Sequence, residues 1–140
     1  MSTEANIAVA HRVFDELFSQ GNFDAADEIY ASGHTSHDPQ APGVNGAAAM
    51  KHYIGMYRAA FPDLHVSIDD TIAEGDRVVI RWTARGTHQG ELMGVPPTGK
   101  QAVVTGINIF RVSDGRLQEE WVNWDTLGLL QQLGVAPTMG

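Results

Sequence analysis

The sequence contains no cysteine, which excludes disulfides, thiolate metal sites and a cysteine nucleophile. Basic residues are scarce: nine Lys and Arg stand against 17 Asp and Glu, for a formal charge of −8. Such a surface repels phosphate backbones and anionic headgroups, so neither nucleic acid nor a membrane is an expected partner. No apolar run approaches the roughly 18 residues that cross a bilayer. The opening stretch MSTEANIAVA lacks a basic segment leading into a long apolar one, so no secretory signal is expected and the cytoplasm is the default compartment. A Gly-x-Ser-x-Gly elbow and a nucleotide fingerprint are missing too, because Gly90, Gly94 and Gly99 follow a strand pattern but open no helix. Nothing repeats and no linker divides the chain. Residues 1–140 therefore read as one domain, long enough for a core of its own.

What is present is periodicity. Ile7, Ala10, Val13, Phe14, Leu17 and Phe18 form one stripe of an amphipathic helix ending near Gly21. Asn22 is placed to cap a short second helix carrying Ala25, Ala26, Ile29 and Tyr30, with Gly33 as its stop. The stretch HTSHDPQAPGVNG reads as loop, and Met50, Tyr53, Ile54, Tyr57 and Phe61 mark a third helix closed by Pro62. From Leu64 the period becomes two. Strands are predicted over His65–Ile72, Arg77–His88, Ala102–Val112 and Leu117–Asp125, followed by a helix over Thr126–Leu133. A two-residue turn at Asp114-Gly115 would set Asn108 opposite Trp121 and Gly106 opposite Asn123. Gly106, Asn108 and Phe110 would then share a face with Trp121, Asn123 and Asp125. Helices first and antiparallel strands after them signal an α+β fold, its N-terminal helices packed on one face of a curved sheet around a cavity.

The segments GNFDAADEIYASGHTSHDP, AFPDL, GDRVVIRWTARGTHQGELMGVPPTGK and IFRVSDGRLQEEWVNWDTLGLLQQLG closely resemble the SnoaL-like polyketide cyclase family of the NTF2-like superfamily. The resemblance runs from about Ile7 to Gly134 and implies a cone-shaped α+β barrel. It also implies intramolecular aldol closure, or a related isomerisation, of a polyketide-like carbonyl compound without metal or cofactor. An aspartate at the end of the last long strand serves as acid and base in such enzymes, a position held here by Asp125. A histidine assists from a neighbouring strand there, where this chain places Asn108. The superfamily also holds binding modules and oligomerisation domains without catalysis, so fold does not settle activity.

Two readings of Asp125 remain open, proton transfer among indole rings and capping of the helix that follows. His88 shares a strand face with Trp82 and Ile80, where it would orient a carbonyl or relay a proton, or else be a satisfied strand-end histidine. Trp82, Asn108, Phe110, Trp121 and Asn123 are expected to line the ligand site. His37 and Met93 are expected at its mouth, Met93 on an apolar segment that covers the opening or meets a neighbouring subunit. His34, His37 and Asp38 form a His-x-x-His-Asp cluster without the further ligands a metal needs, so no metal is expected, and no nicotinamide, flavin or haem. The expected partners are a small apolar substrate and a second copy of the chain, forming a homodimer through the sheet face that carries Arg81, Thr83 and Arg85.

Overall fold

The computed structural model describes residues 2–138. Helix α1 (Thr3–Arg12) begins at Ser2, whose side chain accepts the Ala5 N–H at 3.1 Å. It runs on without a break into a wider π-helical segment, Val13–Ser19, in which the Gln20 N–H bonds five residues back to the Asp15 carbonyl. Gly21, at φ 69°, ends it. After a 3₁₀ turn, helix α2 spans only Ala26–Ile29. Strand β1 (Tyr30–His37) and helix α3 (Gly46–Ala60) follow. The remaining strands are β2 (His65–Glu74), β3 (Arg77–Thr87), β4 (Gln101–Ser113) and β5 (Arg116–Trp124), and helix α4 (Thr126–Gln132) closes the fold.

The sheet order is β1-β5-β4-β3-β2. All pairs are antiparallel except β1 with β5, which run parallel. Along β3, Val78, Ile80, Trp82 and Ala84 are buried on the inner face, and they share one core with Val9 and Ala10 of α1 and Val13 and Leu17 of the π-helical segment. Phe14 joins the layers, its ring 6.1 Å from Trp82 and 6.0 Å from Phe110. Burying side chains of this size contributes about 1.5–3 kcal/mol each, so this interface dominates the fold's stability. A second cluster, built on Phe61, Leu92, Ala102, Leu129 and Leu133, seats α4 and the long β3–β4 loop against the far end of the sheet. Among the described residues no helix is long and apolar enough to cross a membrane.

Two expectations are corrected here. The segment Tyr30–His37, read as a helix end and a loop, is an edge strand: its inward positions His34 and Ser36 are polar, so no apolar alternation announced it. The Asp114-Gly115 turn forms as expected, both residues at positive φ (53° and 73°). Beyond it, however, Val112 pairs with Leu117 while Arg111 pairs with Glu119, which leaves Gln118 as an extra residue. This bulge moves Asn108 opposite Val122 and Gly106 opposite Trp124. A one-residue slip turns every later side chain to the other face. Glu120, Val122 and Trp124 therefore point inward, and Trp121 and Asn123 point outward.

Candidate active site

The concave face of the sheet, the π-helical segment and α3 enclose an apolar cavity of about 100 Å³. That is several times the roughly 15 Å³ that holds one water molecule, so the space suits an organic ligand. Phe14, Phe18, Trp82, Val122 and Trp124 are among the side chains of its wall. Gly106 is what admits the Trp82 indole. A Cβ there would lie 2.2 Å from Trp82 Cζ2 and 2.8 Å from the Trp124 Cβ.

Into this wall β5 projects Glu120, only 2% exposed. One carboxyl oxygen accepts the His34 Nε2–H at 2.7 Å, and the other accepts an Asn108 Nδ2–H at 3.3 Å. The proton on His34 is fixed by its other nitrogen: Nδ1 accepts the Gly46 backbone N–H at 2.9 Å, so Nε2 must be the donor. Asn108 is oriented in the same way, because its Oδ1 accepts the Trp82 indole N–H at 2.8 Å. His34 and Asn108 thus both aim donors at Glu120, whose two oxygens each accept one of them. The Tyr30 ring lies tilted against His34, centroids 4.5 Å apart, and burial, reinforced by the Glu120 charge, holds its phenol far above the usual range.

A second buried carboxyl, Asp38, is 7% exposed. It accepts the Gln40 N–H at 2.9 Å on one oxygen and the Tyr53 hydroxyl at 3.1 Å on the other. Tyr57 stands beside Tyr53, ring centroids 5.1 Å apart, and meets Trp124 edge-on at 5.8 Å. Desolvation raises the pKa of both phenols and keeps them protonated. An apolar enclosure with two oriented carboxyls and protonated phenols can move a proton at carbon and hold a carbonyl oxygen.

The family model for SnoaL-like polyketide cyclases matches residues 8–133. The chain belongs to the SnoaL-like polyketide cyclase family. Among its relatives, the nogalonic acid methyl ester cyclase of Streptomyces nogalater is 28% identical over 84% of this chain and 89% of its own length. The aklanonic acid methyl ester cyclase of Streptomyces peucetius is 27% identical over 96% and 92%. A crystal structure from Acidithiobacillus ferrooxidans, assigned to the polyketide cyclases, superposes with a TM-score of 0.85 at 34% identity, covering 98% of this chain and all of its own. The fold is thus the NTF2-like cone of the SnoaL-like family.

Within this SnoaL-like cone the expected site residues divide. Trp82 and Asn108 do meet in the cavity. Phe110 is fully buried behind the wall, in the core against Phe14. Because of the bulge, Trp121 and Asn123 lie outside the cavity. Trp121 stacks on His37 at 5.3 Å, and Asn123 is exposed. His37 also faces outward, bonded to Glu119 at 2.7 Å, since three residues along a strand separate it from inward-facing His34. The His-x-x-His-Asp cluster is thereby split across two faces. Among the described residues no three His, Asp or Glu side chains converge to hold a metal.

Asp125 is exposed, does not line the cavity, and caps α4 by accepting the Gly128 N–H at 2.8 Å. His88 is fully buried, but behind Phe61 (5.5 Å) rather than in the wall. Its Nδ1 accepts the Thr98 N–H at 3.2 Å and so fastens the base of the β3–β4 loop. Met93, 54% exposed, sits in that loop and lines a second, outer pocket of about 300 Å³ that shares Ala41, Tyr53 and Tyr57 with the cavity. The residues the sequence reading passed over are Glu120 and Asp38 with its partner Tyr53, together with the inward role of His34. The sequence carried no clear signal for Glu120, because apolar residues occur in both rows of this strand, Leu117 and Trp121 in one, Val122 and Trp124 in the other.

Proposed function

We propose that this protein is a cofactor-independent cyclase or isomerase for a polyketide-like carbonyl compound, with Glu120 as its acid and base. The carrying observation is a carboxyl buried in an apolar cavity and oriented by three side chains, His34, Asn108 and, through Asn108, Trp82. In the aldol case Glu120 takes a proton from a carbon next to a carbonyl, and the C–H electron pair becomes the enolate. The enolate carbon attacks a second carbonyl of the same molecule and forms the new C–C bond. The resulting alkoxide then takes back the proton held by Glu120. Atoms and charge balance without a co-reactant, and the dry wall protects the enolate from solvent protons. Asp125, outside the cavity, acts as a helix cap in this reading.

The methyl esters of nogalonic and aklanonic acids, named for the relatives, are the first substrates to try. Glu120→Gln should lower turnover by about 10²-fold or more, because an amide cannot accept and return a proton. Retention of full turnover in Glu120→Gln would remove Glu120 from the mechanism. Binding without turnover by the wild type would make the protein a ligand-binding module of the same fold.

A further inference from the structure

We propose that the Tyr57 hydroxyl is the donor that grips a carbonyl oxygen of the bound substrate and fixes its orientation; this rests on the reading of the cavity as a site for carbonyl compounds. Most donors that reach the wall are engaged: the Trp82 N–H is committed to Asn108, His34 to Glu120, and Asn108 gives one of its two amide protons to Glu120. The Tyr53 hydroxyl has one proton, drawn to Asp38 and to the neighbouring Tyr57 oxygen. The Trp124 indole N–H is buried out of reach. Four cavity-lining donors remain: Tyr57, Ser36, Arg85 and the second Asn108 N–H, the last on the sheet beside Glu120 rather than across from it. Ser36 is the register partner of Glu120 on the adjoining strand, beside the base rather than across from it. Arg85 is exposed, so its guanidinium keeps its water. Tyr57 comes from α3, on the side of the cavity opposite the sheet, and the neighbouring Tyr53 hydroxyl acts on it as a donor, which leaves the Tyr57 proton for a ligand.

The surroundings suit that task. The Tyr57 ring is braced by Tyr53 and by the edge-on contact with Trp124, so the hydroxyl is held in place before a ligand arrives. Burial raises its pKa, against a smaller opposing pull from the Tyr53 hydroxyl, and the Asp38 charge adds to the rise. The phenol therefore stays protonated across the working pH range and is always a donor. With Glu120 on the sheet and Tyr57 on the helix, a planar carbonyl compound is fixed at both ends, and flipping it over would leave the Tyr57 proton unpaired. A site built around such a donor discriminates strongly against analogues that lack the oxygen.

The test uses 2-acetylnaphthalene, a neutral aromatic ketone, on the full chain, with two readouts: fluorescence titration and the infrared carbonyl stretch of the bound ketone. In the wild type the stretch should lie below its value in hexane. Tyr57→Phe, which keeps the ring and its packing, should return it towards the hexane value and weaken binding by about threefold to tenfold. Ser36→Ala should leave the stretch where it is. An unchanged stretch in Tyr57→Phe, or a reversal produced by Ser36→Ala instead, overturns the proposal while leaving Glu120 to be judged by turnover. Failure of the wild type to bind the ketone overturns the cavity as a ligand site, and this proposal with it. If Tyr57→Phe does not fold, 3-fluorotyrosine at position 57 alone is the substitute. Its more acidic phenol should lower the stretch further, and no movement would refute the assignment.

Discussion

Replacing Glu120 by glutamine changes one oxygen to an NH₂ and almost no volume, yet the structure predicts a sizeable loss of stability. Both partners of Glu120 are donors, and neither can reverse. His34 cannot shift its proton, because Nδ1 is occupied by the Gly46 N–H. Asn108 cannot flip without taking its oxygen away from the Trp82 indole. An amide in place of the Glu120 carboxylate therefore satisfies one partner and sets its own NH₂ against the other. The loss is one charge-assisted bond, about 1.5–3 kcal/mol, plus buried donors left unpaired at about 1–3 kcal/mol. Relief from burying a charge offsets part of this, leaving about 2 kcal/mol. For 140 residues the unfolding entropy is about 0.3 kcal/mol per kelvin, so Tm should fall by about 7 °C. The network also specifies a rescue, the double variant Glu120→Gln/Asn108→Asp. Its new carboxylate accepts from Trp82 with one oxygen and from the introduced amide NH₂ with the other, while the oxygen of that amide accepts from His34. Thermal denaturation of the wild type, both single variants and the double variant gives the coupling. A wild-type Tm in Glu120→Gln, or no recovery in the double variant, would refute the one-way network. Turnover should stay low in the rescued protein, since its carboxylate has moved to position 108.

Other expectations are shorter. Asp125→Asn should keep both Tm and turnover, whereas Asp125→Ala should cost about 1 kcal/mol of capping and leave turnover intact. Loss of turnover in Asp125→Asn at an unchanged Tm would return Asp125 to the mechanism. Gly106→Ala should displace Trp82, destabilise by about 1–3 kcal/mol and weaken ketone binding in titrations. Asp63 accepts the Thr87 N–H at 2.7 Å and its hydroxyl at 2.8 Å, and these bonds hold its pKa below the usual 3.8. Its contribution is present above that value and disappears as the pH falls through the depressed one. Acid titration of Asp63→Asn should accordingly show a shallower loss of stability below about pH 4 than the wild type, a difference read by circular dichroism.

How legible the molecule was depended on whether a strand kept strict alternation. The inner row of β3, Val78 through Ala84, follows a period of two without interruption and could be assigned from the sequence. So could the helices of the α1 and α3 stripes, and the Asp114-Gly115 turn. The row on β5 could not, because the expected pairing assumed no extra residue and Gln118 is one. That single error carried Trp121, Asn123 and Asp125 together onto the wrong face and hid Glu120 behind the solvated look of an acidic pair. Strand β1 was obscured for a different reason. Its inward side chains His34 and Ser36 are polar, His34 holding Glu120, so hydrophobic patterning had nothing to report. Trp82 and Asn108 were thus legible as cavity residues from the sequence, whereas Asp125, expected beside them, lies exposed as the cap of α4.

The π-helical segment Val13–Ser19 bears on how the pocket can change. Its wider turn holds one more residue than an α-helical turn needs, so the chain carries slack in the roof over Trp82. Removing one residue there lets the segment tighten into an ordinary α-helix without cutting it. The side chains on either side of the wide turn then keep their orientation, because the surplus residue was taken up by that turn and not by the register of the helix. In this architecture the roof can lose one residue while Phe14 keeps its place against Phe110, so helix length there is uncoupled from the shape of the chamber.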